Sequence, residues 1–253
     1  MELGLNGRKV VITGGSRGIG RSIAARFLEE GAAVALCARG QEGVDEAVAE
    51  LSALGEVHGT AVDASDGDAL RAWVEAAAGQ LGGLDIYVSN ASGGGGGVTE
   101  EKFDANYQVD MMSLVRGVQA AEEHLSASDA GAVVLISTTA MVENFGPGPS
   151  SYMAMKAAAT AFAAGLSQTM ATAGVRVNTV SPGPIFFDAG PWDRIKGAMP
   201  EFYEATVAAS PHGRMGSAEE VANVVVFLAS PAASWVTGAN VVVDGGFTQR
   251  IAY

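Results

Sequence analysis

Tyr152 and Lys156 stand four residues apart in an otherwise apolar, alanine-rich run, residues 150–159. Residues at this spacing share one face of a helix, so the hydroxyl and the ammonium could serve a single site. A free tyrosine, with a pKa of about 10, is a poor acid or base at neutral pH, and a nearby ammonium favours its phenolate form. The pair is therefore a candidate for one shared chemical site, while two unrelated surface residues are the alternative that the spacing leaves open.

A second group of residues suited to chemistry is the glycine-rich segment at residues 13–20, Thr-Gly-Gly-Ser-Arg-Gly-Ile-Gly. It lies between a short apolar run and the first helical pattern. Glycines there permit a tight turn and let the backbone approach a pyrophosphate, whose charge is met by free N–H groups at the helix N-terminus. This placement favours dinucleotide binding over an ordinary loop, with these binding residues: Gly14, Ser16, Arg17, Gly18, Ile19 and Gly20.

The end of the second apolar run distinguishes between nicotinamide cofactors. An acidic residue there binds the adenosine ribose of NAD and repels a 2′-phosphate, whereas this chain has Ala38 followed by Arg39. Arg17 adds a second positive charge, and arginine recognises phosphate with several donors at once. These residues predict NADP(H), with NAD(H) as the less favoured cofactor. Asp63, after the third strand, is predicted either to bind the adenine amine or to cap a helix.

Short apolar runs alternate with longer amphipathic ones, and this alternation must position the two groups of residues. Apolar strands that are each followed by a helix indicate a parallel sheet covered on both faces. Right-handed crossovers then give an α/β fold, a single-domain, Rossmann-like, doubly wound parallel sheet with helices on both faces. The strands are predicted at residues 9–12, 33–37, 57–62, 84–88, 132–136, 175–180 and 239–243, and the helices at 19–30, 69–78, 103–125, 151–172 and 218–228.

Residues 1–253 form one domain in this interpretation, with a cofactor half at about residues 1–135 and a catalytic and substrate-loop half at about 136–253.

Two segments depart from the alternation of apolar strands and amphipathic helices. Residues 93–97 are five consecutive glycines, which predict a mobile loop at a strand end. The segment from residue 181 to about 203 is predicted to be irregular, and some of its aromatic side chains are expected to contact substrate: Phe186, Phe187, Trp192, Phe202 and Tyr203.

Composition excludes several classes of function. Hydrophobic residues make up 48% of the 253 residues, which is typical of a compact globular protein and not of a disordered one. The net charge of −13 repels nucleic acid and anionic membranes, and no apolar run is long enough for a membrane span. The single cysteine, Cys37, is interpreted as core filler, and no secretion signal is evident, so a cytoplasmic protein is predicted. The three histidines share no ligand spacing, so no metal site is predicted.

These motifs occur in an order that resembles the short-chain dehydrogenase/reductase family over nearly the whole chain. The resemblance rests on residues 13–20, Asp63, Ser89-Asn90-Ala91, Ile136-Ser137-Thr138, the Tyr152 and Lys156 pair, residues 178–183, Thr237-Gly238 and Asp244-Gly245-Gly246. The three-residue gap between the tyrosine and the lysine is similar to that of the family's carbonyl reductases, whereas its enoyl reductases have a wider gap. The resemblance implies further cofactor contacts from Ala64, Asn90, Ala91, Pro182, Gly183 and Ile185, and from Tyr152 and Lys156 themselves.

The resemblance also implies a mechanism. Tyr152 would protonate a carbonyl oxygen as hydride arrives from the nicotinamide, or remove the proton in the reverse direction. Lys156 would lower the pKa of Tyr152 and hold the hydroxyls of the nicotinamide ribose. A homotetramer is expected by resemblance, and small residues at positions 157–164 would let another helix pack closely.

Two positions depart from the family pattern. Where the family has a serine that orients the carbonyl, this chain has Thr138 by alignment on the strand end and Thr139 by counting back from Tyr152, and either keeps a hydroxyl. Asp110 stands where the family has an asparagine that supports a water chain to the lysine. A carboxylate there would favour charged Lys156 and could itself accept protons, which predicts an altered pH dependence. Weakened or lost turnover is the other outcome.

The predicted function is that of an enzyme, an NADP(H)-dependent oxidoreductase that interconverts a ketone and a secondary alcohol on a small, fairly apolar substrate. Widespread members of the family reduce 3-oxoacyl groups that are attached to an acyl carrier protein. That carrier protein is acidic, and arginines of the reductase bind it. Those docking positions here read Ser-Ala-Ser-Asp at 126–129 and Ala-Thr-Ala at 171–173, without a positive charge. A 3-oxoacyl-thioester reductase is therefore the alternative, and a cofactor-binding homologue with weak or lost turnover is another because of Asp110.

Overall fold

The computed structural model describes residues 1–143 and 148–249. Within these residues the strands are β1 (Lys9–Thr13), β2 (Ala33–Ala38), β3 (Val57–Ala61), β4 (Ile86–Ser89), β5 (Ala132–Ile136), β6 (Arg176–Pro182), β7 (Ile185–Phe186), β8 (Gly216–Ser217) and β9 (Asn240–Val243). The helices are α1 (Gly18–Glu29), α2 (Gln41–Leu51), α3 (Gly67–Leu81), α4 (Glu100–Asn106), α5 (Ser113–Ala127), α6 (Ser151–Met170), α7 (Pro191–Ala198), α8 (Pro200–Ala209) and α9 (Ala218–Ala229).

In the described part of the chain, seven strands form one parallel sheet in the order β3-β2-β1-β4-β5-β6-β9, and β7 pairs with β8 beside it. The strand order reverses between β1 and β4, so the loops that follow these two strands lead away in opposite directions. The crevice left at their carboxyl ends is the usual ligand site of such sheets. The predicted doubly wound α/β fold is confirmed.

The core has two apolar layers, one on each face of the sheet, because successive side chains of a strand point to opposite faces. Val10 and Ile12 of β1 pack with Phe27 of α1, whereas Val11 packs on the other face with Leu70 of α3. All five side chains are fully buried, and each such burial contributes about 1.5–3 kcal/mol. The sheet is therefore a rigid base for the loops at its carboxyl edge.

The prediction of a single helix at residues 103–125 is wrong. The chain forms α4, then a π-helical stretch at Tyr107–Met112, and then α5. A π-helical turn takes one more residue than an α-helical turn, and such turns are frequent at functional sites. Hydrophobic periodicity does not reveal this change because the buried residues of α4 and of the π-helical stretch are polar, Asn106 and Asp110.

Three helices were not predicted from the sequence. Helix α2 is short, but it buries Val44, Ala47 and Leu51 on one face. Helices α7 and α8 occupy the segment that was predicted to be irregular, and Pro191 and Pro200 stand at their first positions. Proline is over-represented at the first position of helices because its missing N–H has no helical partner there, so these two prolines were the available signal.

No helix among residues 1–143 and 148–249 is long and apolar enough to cross a membrane. The same residues contain no group of three or more histidine, cysteine or acidic side chains that could hold a metal ion. Cys37 is buried in β2, and burial raises the pKa of its thiol to about 12. The thiol is therefore uncharged at neutral pH, in agreement with its interpretation as core filler.

Candidate active site

Tyr152 and Lys156 lie in the first two turns of α6, whose N-cap is Ser150. The Ser150 hydroxyl accepts a hydrogen bond from the Met153 N–H at 3.3 Å, which fixes where the helix begins. Tyr152 is half-buried and Lys156 is buried. Both side chains therefore lie within the fold and are not exposed surface residues.

Two groups hold the Lys156 ammonium. Its Nζ donates a hydrogen bond to the Ile136 carbonyl at the end of β5, at 2.8 Å, and lies 3.3 Å from Asp110 Oδ1. The side chains of Lys156 and Asp110 are 3% and 0% exposed, so this ion pair is shielded from solvent. The positive charge of Lys156 is thus matched by a buried negative charge beside it.

Asp110 also joins a hydrogen-bond network through its second oxygen. Asp110 Oδ2 accepts hydrogen bonds from Asn106 Nδ2 at 2.8 Å and from the Gly93 N–H at 3.2 Å. Asn106 Oδ1 in turn accepts one from the Ser151 hydroxyl at 2.6 Å. Sequence reasoning missed Asn106 and Ser151, although Asn106 precedes Asp110 by four residues, a spacing that places both on one helix face.

The two candidate threonines after β5 have different surroundings. The Thr138 hydroxyl is hydrogen-bonded to the Tyr152 phenol and also accepts a bond from the Ala140 N–H at 3.2 Å. The Thr139 hydroxyl is fully buried and donates to the Pro182 carbonyl at 3.3 Å. The structure therefore brings Thr138, and not Thr139, to the phenol.

Burial raises the pKa of Tyr152 to about 12; the hydrogen bond from Thr138 lowers it, and the negative charge of Asp110 raises it. The resemblance implied the opposite direction, a Tyr152 pKa lowered by Lys156. The physical reason for the difference is first the burial of the phenol and then the negative charge of Asp110, which both oppose a phenolate. Tyr152 is therefore protonated at neutral pH, which is the state of a proton donor.

The glycine-rich segment forms a tight cradle between β1 and α1. Gly14 and Gly18 have left-handed φ values of 70° and 53°, which glycine adopts without strain. A Cβ at Gly20 would lie 2.1 Å from the Gly14 carbonyl oxygen, so no side chain fits there. Arg17 is the N-cap of α1 and provides no side-chain cap, which leaves the N–H groups of the first turn free for an anion. The cradle therefore fits the pyrophosphate of a dinucleotide.

Asn90 supports the cradle from β4. Its Nδ2 donates to the carbonyl oxygens of Thr13 and Gly14 at 3.0 and 2.8 Å. The N–H groups of Asn90 and Ala91 both donate to the Thr13 hydroxyl, at 3.0 and 3.1 Å. These contacts show how the residues after β4 hold the shape of the predicted cofactor site.

The loop after β6 folds over the same cradle. Gly183 follows β6, and its N–H donates to the Val243 carbonyl at 3.0 Å. The ring of Phe187 lies against Gly18, since a Cβ on Gly18 would be 2.5 Å from the Phe187 Cζ. Sequence reasoning placed Phe187 among the substrate-contacting aromatics and missed this contact with the phosphate cradle. The other predicted cofactor residues also lie at the carboxyl edge of the sheet: Ser16, Ile19, Ala64, Pro182 and Ile185.

At the far end of the cradle, Arg17 and Arg39 are both exposed. Asp63 accepts hydrogen bonds from the Ser65 N–H and hydroxyl at 2.9 and 2.8 Å. Burial opposes ionisation of Asp63, but these bonds and the charge of Arg39 hold the pKa of the carboxyl below its usual value. Helix α3 is capped by Asp66 instead, so the alternative that Asp63 is a helix N-cap is wrong.

Four of the five aromatic residues of the predicted substrate loop pack on one another. Trp192 of α7 stacks on Phe202 of α8, with ring centroids 5.7 Å apart. Phe186 meets Tyr203 edge-on at 6.3 Å, and Lys196 Nζ lies 5.7 and 5.5 Å from the centroids of these two rings. The aromatic side chains therefore join α7 and α8 into one unit at the carboxyl edge of the sheet.

A family model described as enoyl-(acyl carrier protein) reductase matches residues 14–248 of the chain. An isoepoxydon dehydrogenase of Penicillium expansum is 38% identical over 251 residues, which are 97% of this chain and 96% of that protein. A 7alpha-hydroxysteroid dehydrogenase of Escherichia coli is 31% identical over 255 residues, 99% of this chain and 98% of that protein.

Solved structures show the same architecture. The crystal structure of L-sorbose reductase from Gluconobacter frateurii, complexed with NADPH and L-sorbose, superimposes with a TM-score of 0.89. The two sequences are 29% identical, and the match covers 99% of this chain and 100% of that one. The likeness thus extends from the cradle through the segment that carries Tyr152 and Lys156.

Proposed function

The chain belongs to the short-chain dehydrogenase/reductase family, whose members act on CH–OH and C=O groups with a nicotinamide cofactor, and we propose that it uses NADP(H) on a small, fairly apolar ketone or secondary alcohol. One observation carries this proposal. A protonated Tyr152, hydrogen-bonded to Thr138, stands four residues from a lysine held by Asp110 at the crevice of a dinucleotide-binding sheet.

In the proposed mechanism Tyr152 is the general acid of carbonyl reduction. A nicotinamide cofactor held by the cradle at Gly14, Gly18 and Gly20 would supply hydride, and the Tyr152 phenol would donate its proton to the carbonyl oxygen. The Thr138 hydroxyl hydrogen-bonds the same oxygen and fixes its direction. Asp110 and the Ile136 carbonyl hold the Lys156 ammonium near the phenol, where it is available to the ribose hydroxyls of the cofactor. In the oxidative direction the phenolate form of Tyr152, which forms only at high pH, removes the alcohol proton.

The proposed preference for NADP(H) rests on the two arginines at the end of the cradle. Arg39→Asp is expected to raise the KM for NADPH by roughly 10- to 100-fold, because a phosphate loses a charge-assisted partner worth about 1.5–3 kcal/mol and meets a negative charge. The KM for NADH should stay the same or fall. Steady-state kinetics with both cofactors measures the change.

Arg26→Asp is the matched control for Arg39→Asp. Arg26 lies in the last turn of α1, at the opposite end of the helix from the cradle, and the substitution changes the net charge by the same amount. It should leave the ratio of the two KM values unchanged. Equal affinity of the unaltered protein for NADPH and NADH would contradict the proposed preference.

The proposed substrate class is tested by mixing the protein and NADPH with cyclohexanone, ethyl acetoacetate, L-sorbose and acetoacetyl-coenzyme A. A free, apolar ketone should be reduced fastest. This expectation follows from the two docking segments, which carry no positive charge of their own: Asp129 of the first is paired with Arg8, and the second is Ala171–Ala173. Faster reduction of the thioester would instead assign the chain as an acyl-thioester reductase. Binding of NADPH without oxidation by any compound would identify a cofactor-binding protein.

A homotetramer is our proposal for the assembly. Helix α6 exposes a stripe of small residues, Ala154, Ala158, Ala161 and Gly165, on which a helix of another copy could pack closely. Size-exclusion chromatography with light scattering is expected to give four times the chain mass of 25.6 kDa. A monomer at micromolar concentration would contradict this assembly.

A further inference from the structure

Five consecutive glycines, Gly93–Gly97, lie between β4 and α4, and we call them the glycine segment. We propose that the glycine segment positions Tyr152 and Lys156, with Gly96 as the main positioning residue. The inference rests on the proposed function, in which these two side chains act on the substrate and cofactor. The sequence predicted only a mobile loop here.

At one end the glycine segment is attached to the first residue of α6. The Ser151 N–H donates to the Gly97 carbonyl at 2.8 Å, and the Gly97 N–H donates to the Ser151 hydroxyl at 3.1 Å. Ser151 is fully buried, so these two bonds are shielded from competing water. They fix the start of the helix one residue before Tyr152.

Gly96 allows this attachment because it has no side chain. A Cβ at Gly96 would lie 2.5 Å from the Tyr152 backbone nitrogen and 2.9 Å from the Tyr152 Cβ. Both distances are shorter than real contacts of a Cβ with a backbone or β-carbon atom. A substitution at Gly96 must therefore push the glycine segment and the first turn of α6 apart, and Tyr152 moves with that turn.

At the other end the glycine segment is attached to the partner of Lys156. The Gly93 N–H donates to Asp110 Oδ2 at 3.2 Å, and Asn106 Nδ2 donates to the Gly94 carbonyl at 3.2 Å. Asp110 Oδ1 is the atom that pairs with Lys156. One short run of backbone thus touches both the turn that carries Tyr152 and the carboxylate that holds Lys156.

Gly95 provides a matched control within the same run. A Cβ at Gly95 would meet nothing within 4 Å, and its φ is not left-handed. Gly95→Ala therefore adds the same methyl group and the same loss of backbone freedom as Gly96→Ala, without the contact with Tyr152.

The test compares Gly96→Ala with Gly95→Ala in three measurements. The first is kcat with NADPH and the fastest ketone of the panel, and the second is the Kd for NADPH. The third is hydrogen exchange of the backbone amides in the first turn of α6, which needs no turnover. Gly96→Ala should lower kcat by roughly 100-fold, as a displacement of about 1 Å can do. Gly96→Ala should also speed amide hydrogen exchange in the first turn of α6, but it should change the Kd for NADPH by less than about twofold. Gly95→Ala should give values close to those of the unaltered protein in all three measurements.

The solvent deuterium isotope effect on kcat distinguishes positioning from general loosening. It should increase in Gly96→Ala because proton transfer from a displaced phenol becomes slow, and it should not increase in Gly95→Ala. If Gly96→Ala does not fold, Ser151→Ala removes both the acceptor of the Gly97 N–H and the donor to Asn106 Oδ1 without adding bulk, and the same changes are expected with smaller size.

The outcomes separate this inference from the proposed function. If the unaltered protein reduces no compound of the panel, the proposed function fails, and hydrogen exchange still decides whether Gly96 positions the start of α6. If Gly96→Ala, or Ser151→Ala in its place, matches Gly95→Ala in kcat, isotope effect and exchange, the positioning role is overturned.

Discussion

Replacing Tyr152 by phenylalanine is expected to abolish carbonyl reduction while cofactor binding stays nearly intact. The substitution removes one hydroxyl, the proton donor, and keeps the ring that packs in the site. A positioned general acid contributes about 10²–10⁴-fold, so kcat should fall by at least about 100-fold. The Kd for NADPH, measured by fluorescence titration, should change by less than about twofold.

Tyr107→Phe is the control for this prediction. Tyr107 is 44% exposed on the neighbouring π-helical stretch, so the variant loses a phenol of the same chemistry outside the proposed site. Its kcat should equal that of the unaltered protein. Turnover by Tyr152→Phe at the rate of the unaltered protein would refute the mechanism, because the mechanism assigns proton donation to Tyr152 alone.

The fold could be predicted from the sequence because its strands are short apolar runs bounded by glycine and proline. The five inner strands of the parallel sheet bury side chains on both faces, and this gives a continuous apolar pattern that a single sequence reveals. The edge strands β3 and β9 have only half-buried and exposed side chains. The cradle could be predicted for a similar reason, since the glycines at 14, 18 and 20 are required by backbone geometry. Burial of a strand and the backbone geometry of a turn each restrict which residue types can occur at a position, so the sequence shows them directly.

The electrostatics of the site could not be predicted in the same way. Lys156 and Asp110 are 46 residues apart in sequence, and their contact depends on how α6 packs against the π-helical stretch. The resemblance implied a Tyr152 pKa lowered by the lysine, but burial and the Asp110 charge raise it to about 12. The direction of such a shift depends on burial and on distances between charges, which a residue pattern does not contain.

The glycine segment shows a different limit. Five glycines in a row are typical of a flexible linker, and composition alone gives no reason for a rigid attachment. The attachment to Ser151 and to Asp110 is made by backbone N–H and carbonyl groups, which every residue has. Only the packing distances distinguish Gly96, where a Cβ would lie 2.5 Å from the Tyr152 nitrogen, from Gly95, where a Cβ would meet nothing within 4 Å.

Lys156→Met is expected to abolish turnover and also to destabilise the protein by about 3–5 kcal/mol, because it leaves the Asp110 carboxylate buried without its ion partner. Asp110 would keep only the two hydrogen bonds to its Oδ2, from Asn106 and Gly93. Urea denaturation measures the loss of stability. Lys196→Met, at an exposed lysine of α7, is the control and should change the free energy of unfolding by less than about 1 kcal/mol.

The double variant Lys156→Met with Asp110→Asn decides whether the uncompensated charge is the cause. Without a buried carboxylate the penalty disappears, so the double variant should be more stable than Lys156→Met alone, although it remains inactive. Asp110→Asn by itself removes a charge that raises the Tyr152 pKa, so the pH above which reduction declines should move downward. If instead the two substitutions destabilise additively, Lys156 and Asp110 are not coupled in solution. The ion pair could then not be what fixes the position of the Lys156 ammonium.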